Sequence, residues 1–200
     1  MQLIGMLDSP YVRRVAITFD LLGLPFDHQA LSVFRNYEAF GAINPAVKAP
    51  TLVLDDGSIL MDSALIIEYA DALAGRSLLP AAPATRARAL RAIGPALAAC
   101  EKNAQIVYEH SLRPPEKQHQ PWLDRVQAQL LAALRLLEAE AETDAFDAGA
   151  LDQAGITAAV AWSFIQLMLP QIVAHDAFPR LAAWTTEAER LPVFRRYPIA

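Results

Sequence analysis

The stretch QLIGMLDSPYVRRVAITFDLLGLP, residues 2–25, decides the fold. Gln2-Leu3-Ile4-Gly5-Met6 reads as a short buried strand. From Pro10 onward the apolar residues Val12, Val15, Ala16, Phe19 and Leu22 recur at helical spacing. Ser9 is a preferred N-cap and Pro10 suits the first helical position, where its missing N–H would have had no partner anyway. Gly23 followed by Pro25 stops the helix. The chain therefore opens with a strand, a tight turn and a helix that presents a hydroxyl at its N-terminus.

Working outward, Phe26 to Leu31 alternates weakly as a second strand, and 33–43 is irregular or briefly helical before Asn44-Pro45 breaks it. Thr51–Leu54 and Ser58–Met61, joined by Asp55-Asp56-Gly57, carry the clearest hairpin signal in the chain. Helical periodicity returns at Leu65, Ile66, Tyr69, Ala70 and Leu73, and Gly75 closes it. The order βαβ followed by ββα uses up residues 1–76. Beyond the proline-marked linker at 78–83 no strand pattern follows. Ala/Leu-rich helices are expected near 84–111, 119–143, 156–174 and 179–190, with breaks at Pro114-Pro115, from Asp144 to Gly155, and from Asp176 to Pro179. The expected organisation is an α/β domain over 1–78 and an all-helical domain over 84–200, with no internal repeat.

Composition narrows the function. Two hundred residues, 54% of them hydrophobic and 20% charged, suffice for a sizeable core. A net charge of −5 argues against nucleic acid as a main partner, because phosphate binding needs concentrated Lys and Arg. Arg86, Arg88 and Arg91 read as a solvated helix face. No apolar run approaches the roughly 20 residues of a membrane helix, and residues 1–8 lack the basic start of a signal peptide. Cys100 is the single cysteine, so no intrachain disulfide framework exists, and its place in a helical stretch reads as a small core residue. The four histidines show no metal-ligand spacing with Cys100 or with one another, and no metal is expected.

Ser9 is suited to two roles. It can cap the helix, or its hydroxyl, beside the positive end of the helix dipole, can donate to and stabilise a thiolate. Without an adjacent base it is a donor and not a nucleophile. Asp62-Ser63 begins the second helix pattern and is first of all a cap. As a ligand site the pair suits an amino-acid zwitterion: the Ser63 hydroxyl and local N–H groups take the carboxylate, and Asp62 takes the ammonium. Pro50 stands at a strand start, where it cannot donate to the ladder, so the Ala49-Pro50 peptide serves something other than pairing. Tyr11, Tyr108 and Trp162 are either core aromatics or the lining of an apolar pocket.

Ser9-Pro10-Tyr11 with Arg13, then Lys48-Ala49-Pro50-Thr51, then Asp62-Ser63, taken in this order and spacing, resemble the cytosolic glutathione S-transferases, in a form where serine stands in the place of the cysteine of Cys-Pro-Tyr-Cys thiol proteins. Gly155-Ile156-Thr157-Ala158-Ala159 resembles the loop and capping start of that family's buried sixth helix, and Pro179-Arg180-Leu181 with Trp184, then Leu191-Pro192-Val193-Phe194, its closing helix and tail. Val160 stands where the family usually has a capping aspartate. The resemblance implies a thioredoxin-like domain followed by a helical one, with glutathione as co-substrate. Ser9 would hold its thiolate, and a cis Ala49-Pro50 bond would let Ala49 clamp the cysteinyl backbone. Asp62 and Ser63 would bind the γ-glutamyl end; Lys48, and more remotely Arg35 and Asn36, the glycyl end. Only about 5–6% of X-Pro bonds are cis in general, so that expectation rests on the resemblance. It further implies a cytoplasmic homodimer that joins glutathione to an apolar electrophile, with helix 63–73 of one subunit against the first long helices of the other domain on its partner, and Tyr11, Tyr108 and Trp162 lining the second-substrate pocket. A glutathione-dependent isomerase or dehalogenase, or a non-catalytic binding or assembly module, would carry the same motifs.

Overall fold

In the computed structural model, residues 1–143 and 145–199 are described. They fall into two compact units, one of Met1–Leu78 with Leu191–Ala200 and the other of Leu79–Arg190.

The first unit holds all the strands among the described residues: β1 (Gln2–Ile4), β2 (Asp27–Gln29), β3 (Thr51–Val53) and β4 (Ile59–Met61), in the sheet order β2-β1-β3-β4. β1 and β2 run parallel, which requires a crossover, and helix α1 (Pro10–Leu22) supplies it. Gly23 closes α1 in the left-handed conformation expected of a glycine stop. β3 and β4 form the expected hairpin, with Leu52 opposite Leu60. After the short α2 (Tyr37–Ile43), α3 (Ser63–Ala74) packs on α1, and Leu3, Val12, Val15, Phe19, Leu52, Ile66 and Ala70 form the core between helices and sheet.

The closing residues were expected in the helical domain; instead they group with the first unit. Helix α8 (Pro192–Arg196) lies on α1. Arg13 is fully buried there, donating from Nε to the Tyr197 carbonyl at 2.7 Å with its guanidinium 5.3 Å from the Phe194 ring centroid. Arg196 grips Asp20 through two 2.7 Å bonds, and Tyr197 stacks on Phe26. Charge-assisted forks and aromatic stacking draw the tail to α1 across more than 170 residues of sequence, a separation that periodicity does not register.

The second unit comprises α4 (Pro83–Leu112), α5 (Gln120–Ala141), α6 (Gln153–Met168) and α7 (Pro179–Ala188), with α4 packed on both α5 and α6. Pro95 lies inside α4, where it cannot donate to the Arg91 carbonyl. Arg86, Arg88 and Arg91 are exposed, as a solvated face requires, and Arg91 also bonds the nearly buried Glu140 of α5 at 2.6 Å. Cys100 is buried, as expected of a core residue. Asp144, expected to open the break before α6, lies outside the described residues.

The start of α6 corrects the sequence analysis. The helix begins at Gln153, not near Ile156; its cap is Asp152, whose side chain accepts from the Gly155 N–H at 2.8 Å. Thr157 lies inside the helix and bonds back to the Gln153 carbonyl. The residue three after the cap is therefore Gly155, not Val160. A Cβ there would stand 2.8 Å from the Trp184 indole, which donates to the Gly155 carbonyl at 3.0 Å. Gly155 is thus a packing requirement inside the first turn, although in the sequence it has the look of a break.

Candidate functional site

Ser9 occupies the N-cap of α1 with extended backbone (φ −71°, ψ 121°), yet its side chain makes no capping hydrogen bond. Its carbonyl receives the Arg13 N–H, and its own N–H goes to the Met6 carbonyl. The main chain therefore fixes the turn, and the hydroxyl is not consumed in holding the helix. Asp8 comes immediately before, partly buried. Burial pushes its carboxyl up from the ordinary value, opposed by the Ser9 N–H and by the Arg35 guanidinium.

The segment from Asn44 to Thr51 is set by a buried network. Asn44, fully buried, donates to Thr51 Oγ1 at 2.8 Å and accepts from the Ala46 N–H at 3.0 Å; Thr51 Oγ1 in turn donates to the Lys48 carbonyl at 2.7 Å. Val47 is held at φ 47°, and the Ala49-Pro50 peptide is cis. Gly5 lies alongside with φ +140°, where a Cβ would meet Val12 Cγ2 at 2.6 Å and Ala49 Cβ at 3.2 Å. Its carbonyl accepts from His28 Nε2 at 2.7 Å. Sequence reasoning took Asn44-Pro45 only as a break and passed over Gly5 and His28. The available signals were the Asn-Pro pair and a glycine at the end of a buried strand.

At the start of α3, Asp62 adopts φ 77°, rare for a residue with a side chain, and its Oδ1 accepts from the Ala64 N–H at 2.9 Å. The expected cap is thus real, and Asp62 rather than Ser63 makes it. Asp62 Oδ2 faces Lys48 Nζ at 3.8 Å, both side chains about half exposed. Ser63 is buried, and its hydroxyl accepts from Arg14 Nη1 at 3.3 Å.

The remaining candidates are placed as follows. Asn36 is the N-cap position of α2, and its Oδ1 accepts from the Ser32 N–H, while Ser32 Oγ accepts from Phe34 and Arg35; this turn is closed on itself. Tyr11 is partly buried on the first turn of α1. In the helical unit, Tyr108 on α4 is 45% exposed, and burial of the rest raises its phenol. Trp162 is 2% exposed and packs edge-on against Phe178 at 5.7 Å, as a core ring does. Among the described residues no group of three His, Cys, Asp or Glu could hold a metal, and no helix is long and apolar enough to cross a membrane.

Residues 3–78 match the family model "Glutathione S-transferase, N-terminal domain". Over its whole length the chain is similar to a glutathione transferase family member from Pseudomonas fluorescens Pf-5 solved with bound glutathione: 31% identity, 98% of that chain covered, TM-score 0.86. A Methylobacterium radiotolerans glutathione S-transferase solved with glutathione sulfonate shares the fold at 24% identity and a TM-score of 0.86, covering 95% of that chain. Among curated proteins, Arabidopsis thaliana glutathione S-transferase U4 is 32% identical over 90 residues, 44% of this chain; the match spans only 40% of that relative's length. The uncharacterized GST-like protein YibF of Escherichia coli is 27% identical over 142 residues, 69% of this chain and 68% of that protein.

Proposed function

The chain belongs to the glutathione S-transferase family, and from that premise we propose that it binds glutathione in its first unit and activates the thiol for attack on an apolar electrophile. The observation that carries the proposal is the Ser9 side chain: it stands at a helix N-terminus and makes no cap bond. A serine kept only for capping would spend its oxygen on the N–H groups of the first turn. Here that oxygen is left to donate its hydrogen to a sulfur, with the helix dipole adding to the preference for the thiolate.

The remaining contacts follow from chemistry at each position. Ala49 offers its backbone N–H and carbonyl to the cysteinyl peptide, as an added strand would. Ser63 and the N-terminus of α3 receive the γ-glutamyl carboxylate, and Asp62 its ammonium. Asp62 Oδ1 already caps α3, so the ammonium competes with Lys48 for Oδ2, and the displaced Lys48 is available to the glycyl carboxylate. Arg35 and Asn36 serve that same end in a secondary role. In the first unit Tyr11, partly buried on the first turn of α1, is the aromatic side chain offered to the electrophile. The protein contributes positioning and a lowered thiol pKa. We further propose a homodimer built on the exposed Leu65 and Leu73 of α3 and Leu90 of α4.

Calorimetric titration with glutathione, paired with turnover of an activated aryl chloride, tests the function. Binding with turnover is expected. Binding without turnover of a panel of generic electrophiles would make the protein a glutathione-binding module, and no binding would remove the proposal.

A further inference from the structure

Arg14 has no part in the proposed contacts, yet it is 3% exposed and its Nη1 lies 3.3 Å from Ser63 Oγ, linking α1 to the first residue of α3 across 49 residues of sequence. A guanidinium can only donate, so in this bond the Ser63 oxygen accepts. With one lone pair of that oxygen occupied, the Ser63 hydrogen must point away from Arg14. A buried hydroxyl constrained in this way is a prepared donor, and the group it suits is an anion. The Arg14 charge lies behind it in a poorly solvated place, where it favours an anion more strongly than it would in water. The Arg14 carbonyl also receives the Thr18 hydroxyl at 2.7 Å within the same helix.

We propose that Arg14 is a positioning residue for the α-carboxylate at the γ-glutamyl end of the ligand, acting through Ser63. This rests on the glutathione reading above and adds to it: recognition of that carboxylate depends on a buried cation that never touches the ligand. Its signature differs from a general loss of structure, because it depends on one carboxylate of the ligand and on one hydroxyl of the protein.

The test compares two ligands by titration calorimetry: glutathione, and 4-aminobutyryl-cysteinylglycine, which is glutathione without its α-carboxylate. Arg14→Met should weaken glutathione about tenfold to hundredfold, the range for a lost hydrogen bond to a charged group, while the analogue stays within about threefold of its affinity for the parent protein. In a Ser63→Ala background Arg14→Met should cost little more, since the hydroxyl it orients is gone. Arg14→Lys, which keeps a buried donor and charge, should restore part of the selectivity; it also carries the test if Arg14→Met does not fold. Equal losses for both ligands, or losses that simply add to those of Ser63→Ala, would overturn the proposal. If the unaltered protein does not bind glutathione, the site assignment itself has failed; normal binding without this selectivity removes only the role of Arg14.

Discussion

Gly5→Ala perturbs the site from beneath: Gly5 is not itself a candidate ligand contact, but it lies against Ala49, which is one. Gly5 follows β1 directly at φ +140°, a conformation that residues with a Cβ rarely adopt. Holding alanine there costs about 1–3 kcal/mol of backbone strain. The new methyl would also stand 2.6 Å from Val12 Cγ2 and 3.2 Å from Ala49 Cβ, both closer than ordinary van der Waals contact. Overpacking of this kind adds about 1–3 kcal/mol, because Val12 is fully buried in the core and has little room to move. The total is roughly 2–6 kcal/mol, a large share of the stability of a domain of this size. Val12→Ala removes the worst contact but leaves the strain, so the two substitutions should be coupled by about 1–2 kcal/mol. Urea unfolding of the parent, both single variants and the double variant measures this, and titration with glutathione shows whether the shift of Ala49 reaches the site. Additive effects, or a Gly5→Ala loss below about 0.5 kcal/mol, would refute the steric argument.

Three further outcomes are expected. Replacing Asp62 with alanine should cost about 1 kcal/mol of stability through the lost cap but roughly 2–5 kcal/mol in glutathione affinity, through a ligand ammonium left unpaired; thermal melts beside calorimetry separate a site from a cap. Burial raises the Asp152 carboxyl, so the folded state holds that proton more tightly than the unfolded chain; its charge is a cost above the folded pKa and vanishes on acidification. Asp152→Asn, which keeps the accepting oxygen, should therefore match or exceed the parent in stability at pH 7, with the gap closing below about pH 4, whereas Asp152→Ala should lose about 1 kcal/mol; pH-dependent unfolding checks both. Light scattering at micromolar concentration should give twice the chain mass of 21.9 kDa, and Leu65→Asp should return it to the single-chain value.

What was legible in the sequence was whatever local chemistry sets. Pro10 and Gly23 bound α1 because one lacks a donor and the other tolerates a left-handed turn, and Asp55-Asp56-Gly57 makes a hairpin for the same kind of reason. The candidate positions Ser9, Ala49, Pro50, Asp62 and Ser63 stood out because each lies at the start of a helix or strand. The unread part depends on contacts between distant residues. Gly155 looks like a helix break until Trp184 is seen lying against it, and that shifts the cap back to Asp152. Arg13 and Arg14 are adjacent charges whose burial helical periodicity does not register; one is covered by the tail at Phe194 and Tyr197, the other lies against Ser63. The support beneath Ala49, made by Gly5, His28, Asn44 and Thr51, is likewise assembled from four separate segments.

The role of Ser9 is tested most directly by the pKa of the glutathione thiol in the binary complex, read from thiolate absorbance across pH for the parent protein and for Ser9→Ala. A hydrogen bond to a charged acceptor is worth about 1.5–3 kcal/mol, and one pKa unit corresponds to about 1.4 kcal/mol. Loss of the Ser9 hydroxyl should therefore raise the thiol pKa by about one to two units, while glutathione affinity stays within a few fold because the γ-glutamyl and backbone contacts lie elsewhere. An identical titration curve for the two proteins, both binding glutathione normally, would contradict the account and leave Ser9 as a residue of the turn alone.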